Sequence, residues 1–188
     1  MIDPKLKRAL GQMIKGVQVV ATTHEGVTRA YTSHWVTQVA FETPIVMASV
    51  SPKHDTHPLI TATGWFSVSV LAGDQVEAGQ YFSYPGRRFR YVADELLTVV
   101  DGTPIVADCI AWMRCEVFER KPMADHDLFF ANVTAYGYGR LKADPLAYSA
   151  RHGWRIADTK AREKGVSIRD RLLARLGEDP SPDDLDDE

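Results

Sequence analysis

Apolar and polar residues alternate along most of the chain, in segments parted by turn signals, which predicts strands rather than long helices. Gly16 to Thr23 (GVQVVATT) is rich in β-branched residues and closes at His24-Glu25-Gly26, a hairpin turn. The alternation resumes from Val27 to about Val39, and Pro44 to Ser51 (PIVMASVS) reads as a more fully buried strand. Asp55 or Thr56 can then cap a short helix, with Pro58 in its first turn and Gly64 at its end. Period two returns from Trp65 to Ala72 (WFSVSVLA). Asp74 is expected to cap a second helix through about Tyr81, ahead of an irregular basic and aromatic stretch from Tyr84 to Tyr91. Pro104 to Val117 and Leu128 to Arg140 supply two long strand patterns. Ser167-x-x-Asp170 has the form of a capping box with Asp in place of Glu, and behind it Ile168, Leu172, Leu173 and Leu176 make one apolar helical stripe. Six or so strands with only short helices between them argue for a mainly β barrel, not a doubly wound sheet.

Length and charge narrow the picture. The 188 residues fit one domain, expected over residues 1–177. From Glu178 to Glu188 the chain carries seven acidic residues and no basic ones, the pattern of a solvated, disordered tail. A net charge of -3 gives no basic field to attract nucleic acid or anionic lipid. No segment approaches the roughly 18 apolar residues of a membrane span, and MIDPKLKRAL lacks a signal peptide's apolar stretch. Cys109 and Cys115 are too few for a disulfide framework, and on one strand they would bridge awkwardly. A cytoplasmic protein with two buried or half-buried thiols is the expectation.

Candidate chemistry concentrates between Ala30 and Ile60. AYTSHWVTQVAF sets three hydroxyls (Thr32, Ser33, Thr37) with His34, Trp35 and Gln38 among apolar neighbours, a cluster that offers hydrogen bonds to a ligand. Ser49 to Thr56 (SVSPKHDT) places two serines, Lys53, His54 and Thr56 ahead of a helix start, where free N–H groups and the helix dipole favour phosphate. The plainer reading is edge-strand hydroxyls and a helix cap. His54-x-x-His57 has a spacing seen in metal sites, but zinc needs three or four ligands, so a loop or cap role is favoured. Gly137-x-Gly139 lacks the third glycine of a dinucleotide fingerprint. Arg87, Arg88 and Arg90, with Phe89 and Tyr91, suit a surface loop or the reception of a nicotinamide dinucleotide. Nothing has the form of a nucleophile elbow, so hydrolase chemistry has no support.

The order of these pieces resembles the flavin reductase-like FMN-binding split-barrel family. The resemblance rests on Gly16-Val-x-Val-Val-x-Thr-Thr23, on Thr32-Ser33-x-Trp35-Val36-x-Gln38 and on Phe41-Glu42-x-Pro44-x-Val46 followed by Ser49-Val50. It continues through Thr56-His57-x-Leu59-Ile60, Gly64-x-Phe66-Ser67-Val68-x-Val70-Leu71, Cys115-Glu116-Val117 and Asp125-His126-x-Leu128-Phe129 with Val133. It spans residues from about 12 to 155.

The resemblance implies a split β-barrel with short helices and a C-terminal helix, a homodimer with FMN near the subunit interface, and NADH or NADPH as electron donor. It implies that Thr32, Ser33, His34, Trp35, Val36 and Gln38 wrap the flavin, with Trp35 beside the ring. Ala48, Ser49, Val50 and Ser51 would run along it, while Lys53, His54 and Thr56 serve the phosphate. The family's usual arginine before that threonine is replaced here by Asp55. His126 would lie near the reactive edge, where an imidazole can donate a hydrogen bond or relay a proton. Tyr148, Arg151 and Trp154 look similar to a C-terminal segment that approaches the flavin, though a solvated helix face also fits. The implied activity is hydride transfer from the nicotinamide to flavin, delivering reduced flavin or electrons to an oxygenase or another acceptor. Two alternatives stand beside it: a non-catalytic FMN electron carrier, which the Ser33 to Gln38 segment also resembles, and a flavin-free binding barrel.

Overall fold

The structure is a computed structural model and describes residues 3–83 and 96–156. The basic aromatic stretch around Arg87 to Tyr91, the stripe around Leu172 and the acidic tail lie outside the described residues.

The N-terminal helix α1 (Pro4–Leu10) follows from Asp3, whose carboxylate accepts the free N–H groups of Lys5 and Leu6, with Pro4 at the first helical position. A two-residue strand β1 (Lys15–Gly16) leads into β2 (Gln18–His24). The predicted hairpin follows: Glu25 and Gly26 both take positive φ and turn the chain into β3 (Val27–Ser33), which pairs residue for residue with β2. The expected strand from Val27 to Val39 breaks at His34-Trp35, because the Ser33 hydroxyl accepts the Trp35 N–H and closes a local turn. The chain resumes as β4 (Val36–Ala40), then β5 (Ile45–Val50). Helix α2 (Thr56–Thr63) ends at Gly64, left-handed at φ 71, where a Cβ would be strained.

Strand β6 (Trp65–Val70) leads to α3 (Val76–Tyr81). Asp74 does not cap this helix: both its carboxylate oxygens are held by the Arg140 guanidinium, and Gln75 stands at the cap position. The hairpin β7 (Leu97–Val100) and β8 (Thr103–Val106) precedes the two long strands β9 (Ala111–Met123) and β10 (His126–Tyr138). The expected strand from Pro104 to Val117 is therefore two strands, parted by a turn with Asp108 at φ 54. Cys109 sits in that turn and Cys115 on β9, so the thiols do not share a strand; both are buried and free. A closing hairpin, β11 (Leu146–Ser149) and β12 (Gly153–Ile156), occupies the segment for which a helix face was considered.

All ladders are antiparallel. The main sheet runs β3-β2-β6-β9-β10-β5-β4, a three-stranded sheet runs β1-β11-β12, and β7-β8 form a pair. The mainly β class agrees with expectation. Alternate residues of β2 feed two cores: Val20 joins Val50, Ile60, Phe66 and Phe129, and Val19 joins Leu71, Val106, Trp112 and Leu146. Burial on both faces explains the unbroken apolar run Val19-Val20-Ala21 within β2. No helix among the described residues is long and apolar enough to cross a membrane.

Candidate functional site

The Ser33 turn, the end of β5, the start of α2 and the start of β10 converge at one end of the main sheet. Trp35 projects from the turn half-exposed, and its ring meets His126 edge-on, centroids 5.0 Å apart at 75°. The Ser49 N–H donates to the Trp35 carbonyl, which ties β5 to the turn. His126 opens β10, and Asp127 beside it pairs with Val50, so the His126 ring lies across from the end of β5. Asp125 Oδ1 lies 3.0 Å from His126 Nδ1, and this contact with His126 holds the exposed Asp125 carboxyl below its ordinary range.

The loop between β5 and α2 carries the candidate phosphate end. The Lys53 N–H donates to the Ser51 hydroxyl and the His54 N–H to the Ser51 carbonyl, so the loop is folded back on itself. The His54 ring stacks on Tyr31 at 4.5 Å. Burial, reinforced by the neighbouring His126, pushes the His54 pKa down. Tyr31 is buried, and that burial pushes its phenol well up.

A second aromatic group adjoins the first. His34 stacks face to face on Tyr148 at 4.4 Å and 8°, with Trp154 tilted against both rings. Burial lowers the His34 pKa, the charge of Lys15 lowers it further, and the Gly16 carbonyl offsets this in part. His34 Nδ1 is a buried polar atom without a hydrogen-bond partner in the described structure. The Lys15 ammonium lies 5.9 Å from the Trp35 ring centre and joins the two aromatic groups.

Not every expected residue presents its side chain here. Thr32 donates its hydroxyl to the Gly79 carbonyl of α3, and the Ser33 hydroxyl is spent on the turn. Ala48 and Val50 are wholly buried core residues, so only their backbone can face a ligand. Thr56 is 1% exposed. Val36 and Gln38 line a separate apolar groove of about 420 Å³ with Val46, Val68, Met113 and Tyr138. Arg151 is turned to Gln12 behind α1. Ser49, Ser51, His54, Trp35 and His126 do assemble, and Tyr148 joins through His34.

Three features escaped the sequence reading. Lys15 belongs to no motif. Tyr31 lies on β3 as the alternation predicts, but its stacking on His54 has no local sequence signal. His57 does not share a site with His54: its Nε2 lies 2.6 Å from Asp127 Oδ2, which also receives Arg120.

The sequence profile of the Flavin reductase like domain matches residues 10–156. The chain belongs to the flavin reductase-like family. Among relatives of this flavin reductase-like chain is the NADH-dependent flavin reductase StyB of Pseudomonas fluorescens, 32% identical over 146 residues, covering 77% of this chain and 84% of that one. The NADH-dependent FAD reductase of Streptomyces globisporus is 30% identical over 141 residues, covering 71% and 77%. In three dimensions the chain is similar to the styrene monooxygenase flavin reductase of Pseudomonas putida S12. That match has a TM-score of 0.73 and 26% identity, over 83% of this chain and 99% of the other.

Proposed function

We propose that this chain is an NADH-dependent flavin reductase that reduces FMN and delivers the reduced flavin to a monooxygenase. The observation that carries the reading is the meeting of Trp35 and His126, in a family member whose relatives are named for this activity. The residues fit the ligand. Trp35 offers a flat apolar wall, Ser49 and Ser51 offer hydroxyls, and the Lys53 ammonium suits an anionic end. Lys53 is the cation at this end and suits a terminal phosphate such as that of FMN.

Hydride acceptance from the nicotinamide is chemistry the flavin supplies when bound. This chain's residues bind, orient and handle protons. The Asp125 carboxylate, accepting from Nδ1–H, orients the His126 ring against Trp35, where an imidazole can pass a proton. The apolar groove, with Tyr136 and Tyr138 exposed beside it, supports a homodimer, which sedimentation velocity tests. Two free thiols support a cytoplasmic setting.

Steady-state loss of nicotinamide absorbance tests the reading. Oxidation of NADH that depends on FMN, with NADPH and FAD poorer, is the expected result. An NADH oxidation rate that no flavin raises would contradict it.

A further inference from the structure

Beneath the proposed site lies a hydrogen-bonded knot around a buried carboxylate, which includes none of the ligand-facing residues. Asp127 is 4% exposed, and its Oδ2 receives His57 Nε2 at 2.6 Å, Arg120 Nη2 at 2.6 Å and Arg120 Nε at 2.9 Å. His57 is 8% exposed and meets the Phe129 ring edge-on at 5.6 Å, while the Arg120 guanidinium lies over the same ring at 5.8 Å. A carboxylate removed from water needs such partners, and breaking one leaves an uncompensated charge.

What the knot joins gives it meaning. Asp127 is the residue after His126, and successive strand side chains point to opposite faces, so its carboxylate lies behind the strand that presents His126. His57 follows Thr56 in the first turn of α2, next to the loop bearing Lys53 and His54. Arg120 comes from β9, paired with β10 at Phe129. Three separate stretches of chain therefore meet at one oxygen, and two of them carry the two ends of the proposed site. A core that needed only apolar filling would not place a carboxylate, a guanidinium and an imidazole at this junction.

We propose that Asp127, acting through His57 and Arg120, is a positioning residue that fixes His126 and the first turn of α2 relative to one another. This rests on the reading of the site as a flavin site. Asp127 touches no ligand. It acts by holding the start of β10 and the start of α2 in one geometry, so that a bound flavin finds both ends of its site in place.

The test uses His57→Leu, which removes the donor, and His57→Gln, whose amide can still donate to Asp127. The readouts are the FMN dissociation constant and, without ligand, the His126 Cε1–H proton resonance, which the adjacent Trp35 ring shifts. That resonance is assigned by its loss in His126→Gln. In folded His57→Leu the ring-current shift is expected to collapse and the FMN dissociation constant to rise about tenfold or more, with His57→Gln restoring both. If His57→Leu does not fold, His57→Gln carries the same test against Asp127→Asn. Folded variants that lose the knot but keep the wild-type resonance and FMN affinity would overturn the positioning role alone. A wild type that binds no FMN would overturn the site reading with it.

Discussion

Histidine protonation links the site to the acid stability of the molecule. Burial lowers the pKa of His34 and His54 in the folded chain. Below the unfolded histidine value of about 6.5 the unfolded chain then binds more protons than the native one, so stability falls as pH drops toward the folded pKa values. His54→Phe keeps an aromatic ring on Tyr31 and removes one of these groups. A shallower decline of the urea midpoint between about pH 7 and pH 5 is expected for it; an unchanged slope would mean that His54 titrates as it does unfolded. Trp35 and His126 were legible at this scale because their neighbours in sequence carry the family's pattern. The partnership of His57 with Asp127 spans 70 positions, and no local signal announces it. Lys15 was missed for the same reason, since only the pairing of β1 with β11 sets it beside His34 and Trp35.

Among the elements, strand patterns were read well where one segment supplies its own alternation, as in β2, β5 and β6. They were read poorly where a side chain or a turn interrupts an apolar run. The Ser33 hydroxyl breaks β3 from β4, and Asp108 at positive φ breaks β8 from β9, although apolar residues flank both breaks. Helix α1 and the β11-β12 hairpin were missed because α1 buries none of its residues and the hairpin is only four residues a side. The junction after β10 shows how close the elements approach. A Cβ on Gly139 would meet the Cys109 carbonyl oxygen, and the neighbouring Gly139 N–H and Arg140 N–H donate to Ile110 and Cys109. Gly139→Ala must push these backbones apart and is expected to cost about 1–3 kcal/mol, read as a lower denaturant midpoint. A midpoint equal to wild type would show that the turn yields without strain.

The molecule as a whole joins two cores through a doubly buried β2 and gathers its candidate chemistry at one end of the main sheet. The mainly β class could be read from period and turn chemistry, and the family from the order of several weak motifs. The residues expected along a flavin divide in the structure into those that face the site, such as Ser49, Ser51 and His54, and those that support it, such as Ala48, Val50 and Thr32. Alternation along β5 decides it for Ala48, Ser49 and Val50, the fold of the following loop decides it for Ser51 and His54, and a motif read as a string shows neither. Hydride transfer from a nicotinamide to flavin bound here is the step to measure. An anaerobic visible spectrum of the protein with FMN, before and after one equivalent of NADH, tests it most directly. A flavin band perturbed by binding and then rapidly bleached by NADH is expected. Flavin that binds but stays oxidised until dithionite is added would contradict it and favour an electron carrier.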